Sequence, residues 1–234
     1  MTCPHCVGIE NEFDDRTARR ELAKFRRRGP RGTTRRLLDA VRSLGVSGAT
    51  VLDVGGGVGA IHHELLESGA KAAMHVDAST AYLRAAREEA ERRGHASQVT
   101  FKHGDFLEVA AETPIADVVT LDRVVCCYPN VTELLASSAA HARRMVALVY
   151  PRDERHMRVV GALTNIVLRL KRTPFRTFIH PTKVVEGVLE QAGLQRRYRR
   201  RGLMWQVVVF ARNADGIGGR APDPPHELYG EPQP

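Results

Sequence analysis

The sequence predicts an α/β fold: a mostly parallel, seven-stranded sheet that ends in an antiparallel hairpin and is preceded by a helical arm. Three observations carry this. From Ala49 onward, short β-branched runs alternate with helical stretches, the pattern of parallel strands joined by crossover helices. The strand-like runs 194–201 and 203–211 are joined by Gly202 alone, which admits a tight hairpin and no crossover. The 234 residues, 43% hydrophobic and 26% charged, suit one globular domain.

Taken in order, Ala18, Leu22 and Phe25 fall at helical spacing, Gly29 and Pro30 break that helix, and Thr33 or Thr34 is placed to cap a second. The second helix carries Leu37, Leu38, Val41 and Leu44. Two helices therefore precede the sheet. Residues 1–31 read as an arm with a lid helix and 32–212 as the main domain. Strands are expected at 49–54, 72–77, 97–102, 116–121 and 144–150, with helices between them. The helix after the second strand has Ser79 as cap, Tyr82, Leu83, Ala86 and Ala90 as apolar stripe, and Arg92, Arg93 and Gly94 at its end. A long helix over 153–172 carries Met157, Val160, Leu163, Val167 and Leu170, and a shorter one covers 182–192. The last twenty residues hold five prolines and four glycines without an apolar period, so a flexible tail is expected over 213–234.

The formal charge is +8, from 35 basic and 27 acidic residues, and all but five of the basic ones are arginine. Residues 16–42 hold eleven basic against two acidic side chains, and Arg196–Arg201 is a second basic run. Such patches suit nucleic acid, a membrane surface or an anionic small molecule, and equally a solvated basic face. No stretch approaches the roughly 18 apolar residues of a membrane span, and the opening MTCPHCVGIE lacks a signal-peptide pattern. Four cysteines, Cys3, Cys6, Cys126 and Cys127, make no disulfide framework. A cytoplasmic chain with reduced thiols is expected. Cys3 and Cys6 form half of a zinc-site spacing; a closed site takes four ligands, so no metal is assigned.

The segment VLDVGGGVGA, 51–60, places Gly55, Gly57 and Gly59 where a strand gives way to a helix, so the backbone can turn sharply and approach a ligand. Gly55, Gly57 and Ala60 also fit the dinucleotide pattern, with Asp77 seventeen residues on. Asp53 argues against a dinucleotide, because its carboxylate would repel a pyrophosphate while suiting a ligand's ammonium group. Asp77 ends the second strand, in place to accept from two vicinal ribose hydroxyls, with Ala78 beside it. Asp105, just past the third strand, is placed to accept from an adenine amino group while Phe106 or Leu107 covers the ring; a helix cap is its other reading.

With D-x-G-x-G-x-G at 53–59, the acid at Asp77 and Gly104-Asp105, the chain resembles the class I S-adenosylmethionine-dependent methyltransferases from about Gly32 to Arg212. The resemblance implies a Rossmann-like fold and S-adenosyl-L-methionine as cofactor. It assigns the methionine part to Gly55, Gly57 and Gly59, the ribose to Asp77 and the adenine to Asp105.

Leu121, Asp122, Tyr128 and Pro129, then Ile179 and His180, then Arg201, Gly202 and Leu203 are similar to motifs of the magnesium-protoporphyrin IX O-methyltransferases, which carry a histidine where this chain has Cys127. That likeness implies a small anionic acceptor. A propionate carboxylate is ionised at pH 7 and needs no general base, and arginines hold carboxylates bidentately. Asp122 joins the cofactor side, while Tyr128, His180 and Cys127 are the candidate catalytic residues. A thiol or metalloid acceptor, and a nucleic acid engaged by the basic arm, stay open as alternatives; the segment 121–130 has no Asn-Pro-Pro-Tyr type motif, which weighs against nucleic acid.

Overall fold

The structure, a computed structural model, describes residues 4–213. The tail expected beyond Asn213 and the side chains of Cys3 and Cys6 lie outside the described parts. Three helices open the chain: α1 (Pro4–Glu12), α2 (Asp15–Arg28) and α3 (Gly32–Ser43). There follow β1 (Thr50–Val54), α4 (Ala60–Glu67), β2 (Ala72–Asp77), α5 (Thr80–Arg93), β3 (Val99–His103), the short α6 (Phe106–Val109), β4 (Ala116–Asp122), α7 (Val131–Ala140) and β5 (Ala142–Pro151). The last part comprises α8 (Arg155–Leu170), α9 (Thr182–Gln191), β6 (Gln195–Arg201) and β7 (Trp205–Ala211).

The seven strands run in the order β3-β2-β1-β4-β5-β7-β6. Pairings from β3 through to β5 are parallel, and β7 is antiparallel to both β5 and β6. This is the α/β architecture expected from the alternation of elements. Both faces of the sheet are covered, which is why its inner strands read as apolar runs. One core packs Leu134, Leu135, Val185 and Leu189 of α7 and α9 on Val119, Leu121, Val146 and Leu148; the other packs Leu37, Leu38 and Val41 of α3, with Leu65 of α4, on Val51, Val118 and Val149. Strand order reverses between β1 and β4, so a crevice opens beyond their carboxyl ends, the usual place for a ligand in such sheets.

Several local expectations hold at residue level. Ser79 caps α5 by accepting from the Tyr82 amide at 3.2 Å, and Gly94 closes it at φ +73°. Others are corrected. A third helix, α1, precedes the expected two and docks where Gly8 lies against the Phe175 backbone, an approach a side chain would block. Neither Thr33 nor Thr34 caps α3; the Thr34 hydroxyl instead donates to Asp122 at 2.5 Å. The hairpin tip comprises Gly202, Leu203 and Met204 rather than glycine alone, because the Arg152 amide takes the Met204 carbonyl at 2.9 Å. In α8 Met157, Gly161 and Leu168 are buried against the body and Asn165 bonds the Thr177 backbone, whereas Val160, Leu163, Val167 and Leu170 of the expected apolar stripe face solvent.

Candidate functional site

The crevice between β1 and β4 deepens into a cavity of about 400 Å³. Its floor is the turn after β1. Gly55, Gly57 and Gly59 have φ of +60°, +57° and +82°, conformations that favour glycine. A Cβ on Gly55 would lie 2.5 Å from Val124 Cγ2, and one on Gly59 would lie 2.7 Å from His62 Cε1. At Gly57 it would meet nothing within 4 Å and would project into open space. The glycines thus have different causes: two permit close packing behind the turn, and Gly57 keeps the turn open.

Asp77 ties β2 to this turn, its Oδ2 accepting from the Gly57 amide at 2.9 Å and its Oδ1 from the Ser79 amide at 2.8 Å. Each oxygen keeps one lone pair for a further donor. Asp53 is 1% exposed in the middle of a core strand. Its Oδ1 accepts from Thr120 at 2.7 Å and its Oδ2 lies 3.0 Å from His62 Nδ1. Burial is the largest single influence on Asp53 and opposes its charge, but the hydrogen bonds from His62 and Thr120 and the imidazoles of His62 and His75 together outweigh it and hold the carboxyl below its usual range. Burial likewise holds His62 below the usual imidazole range, so a neutral ring donates to an ionised carboxylate. His63 and His75 are also fully buried beside it, and desolvation lowers His63 to about 2.

The arm closes one side. Ile9, Phe13 and Glu21 line the cavity, and Phe13 packs against both Tyr82 and Phe175, with ring centroids 5.5 Å and 5.6 Å away. Tyr82 donates to Glu21 at 2.9 Å and Glu10 accepts from the Thr80 amide at 2.9 Å, which pins α1 and α2 to the start of α5. Behind them the fully buried Glu89 accepts from Arg26, Arg92 and Arg93 at 2.7 Å, 2.5 Å and 2.7 Å.

Beyond β4 the chain makes a left-handed turn at Arg123, φ +65°, an unusual conformation for an arginine. The Cys126 and Cys127 thiols both donate to the Arg123 carbonyl, at 3.3 Å and 3.7 Å. The contact with Cys126, then burial, keeps Cys127 a neutral thiol. Arg123 itself pairs with Asp122, 3.2 Å away, on the cavity wall. Tyr128 donates through its hydroxyl to Asp105 Oδ1 at 2.9 Å, the same oxygen that accepts the Leu107 amide. Asp105 therefore does cap α6, while bonded to the segment that follows β4.

Of the residues singled out from the sequence, Asp53, Gly55, Gly57, Asp77, Ala78, Phe106, Asp122, Cys127 and Tyr128 all line this cavity. Gly59 and Asp105 stand directly behind the wall, and Phe106 turns its ring into the core against His141. His180 lies apart from the wall; its Nε2 donates to the Tyr128 carbonyl at 2.9 Å, and burial lowers its basicity. Sequence reasoning missed Arg123 and the arm residues Ile9, Phe13 and Glu21. Arg123 carries no sequence signal of its own, because its left-handed turn combines the local thiol contacts with the bond from its amide to the remote Val149 carbonyl. Among the described residues the wall bears four carboxylates, Glu21, Asp53, Asp77 and Asp122, and one guanidinium, Arg123, so its field favours a cation.

Residues 51–146 match the family described as "Methyltransferase domain". No curated protein matches the sequence. Among solved structures, the magnesium protoporphyrin IX methyltransferase of Synechocystis PCC 6803 with bound SAH aligns at a TM-score of 0.60 and 17% identity, over 88% of this chain and 85% of that one. An O-methyltransferase family protein from Burkholderia thailandensis aligns at 0.65 and 22%, over 87% and 62%. An O-methyltransferase family 2 protein from Planctomyces limnophilus DSM 3776, in complex with apigenin, aligns at 0.60 and 18%, over 85% and 62%. At such identities the likeness establishes the fold. The domain match spans the strands that build the crevice, and the elements around it complete the class I methyltransferase fold.

Proposed function

We propose that this enzyme methylates an oxygen atom, a carboxylate or a hydroxyl, of a small anionic acceptor held between Arg123 and the arm. The single observation that carries this reading is Arg123, the one cationic side chain on the wall among the described residues, held in a left-handed turn by two thiols beside apolar Ile9, Phe13 and Phe175. Strain of this kind persists only where surrounding contacts over-determine it. The protein of Synechocystis with the same fold is named for magnesium protoporphyrin IX, and that of Planctomyces limnophilus holds apigenin, both consistent with an acceptor that is flat, apolar and oxygen-bearing.

The residues present fit the cofactor. An excess of carboxylates suits its ammonium and sulfonium charges, and Gly57 leaves the space that a side chain would fill. Asp77 takes the ribose hydroxyls while bracing the glycine turn. Asp105, behind the wall and bonded to Tyr128, supports the adenine side, which Ala78 and Phe106 line, and Asp53 with Gly55 receives the methionine part. Gly59 lets α4 start close behind, and Asp122 anchors Arg123. Bound S-adenosylmethionine supplies a methyl group on a positively charged sulfur that is already a good leaving group. Alignment at the reacting distance then carries most of the acceleration, and a carboxylate acceptor arrives ionised. Tyr128, His180 and Cys127 are assigned positioning roles: they hold Asp105, the Tyr128 backbone and the Arg123 turn. The arm, residues 1–31, serves as the cover that excludes water.

The test is transfer of a labelled methyl group from the cofactor into fractionated cell extract. Label is expected in small acidic molecules, released by mild alkali if the product is a methyl ester and retained if it is an ether. In Arg123→Gln the KM for that acceptor rises about tenfold or more, equivalent to ~1.4 kcal/mol, while cofactor affinity holds. Label confined to nucleic acid or protein overturns the reading.

A further inference from the structure

Helix α8 forms one wall of the cavity through Thr164 and carries a second, outward face that no other described element covers. Val159, Val160, Leu163, Ile166, Val167 and Leu170 recur at spacings of three and four, and they are between 41% and 78% exposed. They form one continuous apolar stripe. The opposite face is fixed to the body by Met157, Gly161 and Leu168, with Gly161 admitting Ile179 at a distance that a side chain would contest. The helix is therefore firmly seated with its apolar side outward. Arg155, Arg158, Arg169, Lys171 and Arg172 flank the stripe, all exposed, and none makes a salt bridge among the described residues. Residues 155–172 contain no Asp or Glu. At the amino end of α8 the hairpin tip adds Leu203, 82% exposed, on a segment bonded to Arg152.

We propose that this face docks on an anionic phospholipid bilayer, with α8 lying in the plane of the interface. An apolar band between cationic flanks is the arrangement that lets methyl groups enter the acyl boundary while arginines meet phosphate headgroups. A second copy of the chain is the poorer occupant, because a two-fold pairing of this face brings cationic flank against cationic flank. With 16 residues, α8 is too short to cross, and no described helix is long and apolar enough to do so. Thr164 is exposed and also lines the cavity, so docking sets the cavity mouth at the bilayer surface. An amphiphilic acceptor would then enter without crossing water; that consequence rests on the function proposed above, whereas vesicle binding does not.

The experiment is flotation of the full chain with vesicles of phosphatidylglycerol and phosphatidylcholine, against vesicles of phosphatidylcholine alone. Binding is expected to the anionic vesicles, to weaken at least tenfold on the neutral ones and in 0.5 M salt, on the order expected for surface electrostatics, and to be lost in Leu163→Asp/Leu170→Asp. Arg158→Gln/Arg169→Gln weakens it without altering the apolar stripe. These side chains are exposed, so cofactor affinity measured by calorimetry stays at the wild-type value and reports an intact fold. No binding to anionic vesicles, equal binding to neutral ones, or binding unchanged in the double Asp variant overturns the proposal. So does a concentration-dependent dimer in sedimentation that the double Asp variant abolishes, since the stripe would then be a self-interface. Failure of methyl transfer with retained vesicle binding would count against the proposed function and leave this inference standing.

Discussion

Acidification from pH 7.5 to 5.5 should destabilise this fold by a calculable amount, because two histidines are sealed beneath the glycine turn. His62 and His63 are both fully buried. Desolvation is the leading cause in each, reinforced at His63 by its neighbours His62, His95 and Arg93 and opposed at His62 by Asp53. Their folded-state values are depressed, His63 to about 2, so the folded chain keeps them neutral while the unfolded chain takes up protons below about 6.5. Stability from such a group is fully present above the unfolded value and is lost as pH falls. Over this interval a sealed histidine loses about 1.4 kcal/mol, so His63 alone contributes that much and the pair up to about 3 kcal/mol, a large part of a typical domain's stability. Asp53 adds nothing in this window, since its carboxyl is ionised at both ends. Urea unfolding at pH 7.5, 6.5 and 5.5 measures the effect, and His63→Leu should remove about half of the pH dependence. A stability that changes by less than about 0.5 kcal/mol between the two ends would refute the burial argument.

Three further outcomes follow from the site. On the cofactor placement proposed above, Asp77→Ala removes the acceptor for two ribose hydroxyls, each charge-assisted bond contributing about 1.5 kcal/mol or more, so calorimetry should show cofactor affinity reduced about 100-fold. Gly57→Ala should cost only about 1 to 2 kcal/mol of stability, the left-handed penalty for a Cβ that meets no neighbour, yet abolish measurable cofactor binding because that Cβ fills the cavity floor. Glu89→Ala leaves Arg26, Arg92 and Arg93 without their shared carboxylate; with the arginines partly exposed, a loss of about 2 kcal/mol and faster tryptic cleavage of α2 at Arg26–Arg28 are expected.

The alternation of elements was legible because strand and helix periods are local properties, and the chain follows them from β1 to β7. Likewise legible was the glycine turn after β1, which needs residues without side chains, and the structure brings Asp53 and Asp77 to the crevice beside it while Asp105 stands behind the wall. The stripe of α8 shows where periodicity stops: it marked Val160, Leu163, Val167 and Leu170 as apolar on one face but not which face meets the body. That choice depends on Gly161 fitting Ile179 and on Leu168 meeting Phe175 and the distant Ile9, contacts made outside the helix. The sequence by itself determined the fold class, the bend and the acids around it. Only the tertiary structure decided that Asp53 is held by His62 and Thr120, that Arg123 turns left-handed onto the cavity wall, and that the arm covers it. The physical reason is range: periodicity and turn chemistry act within a few residues, whereas desolvation, charge pairing and steric fit are set by what the folded chain brings into contact.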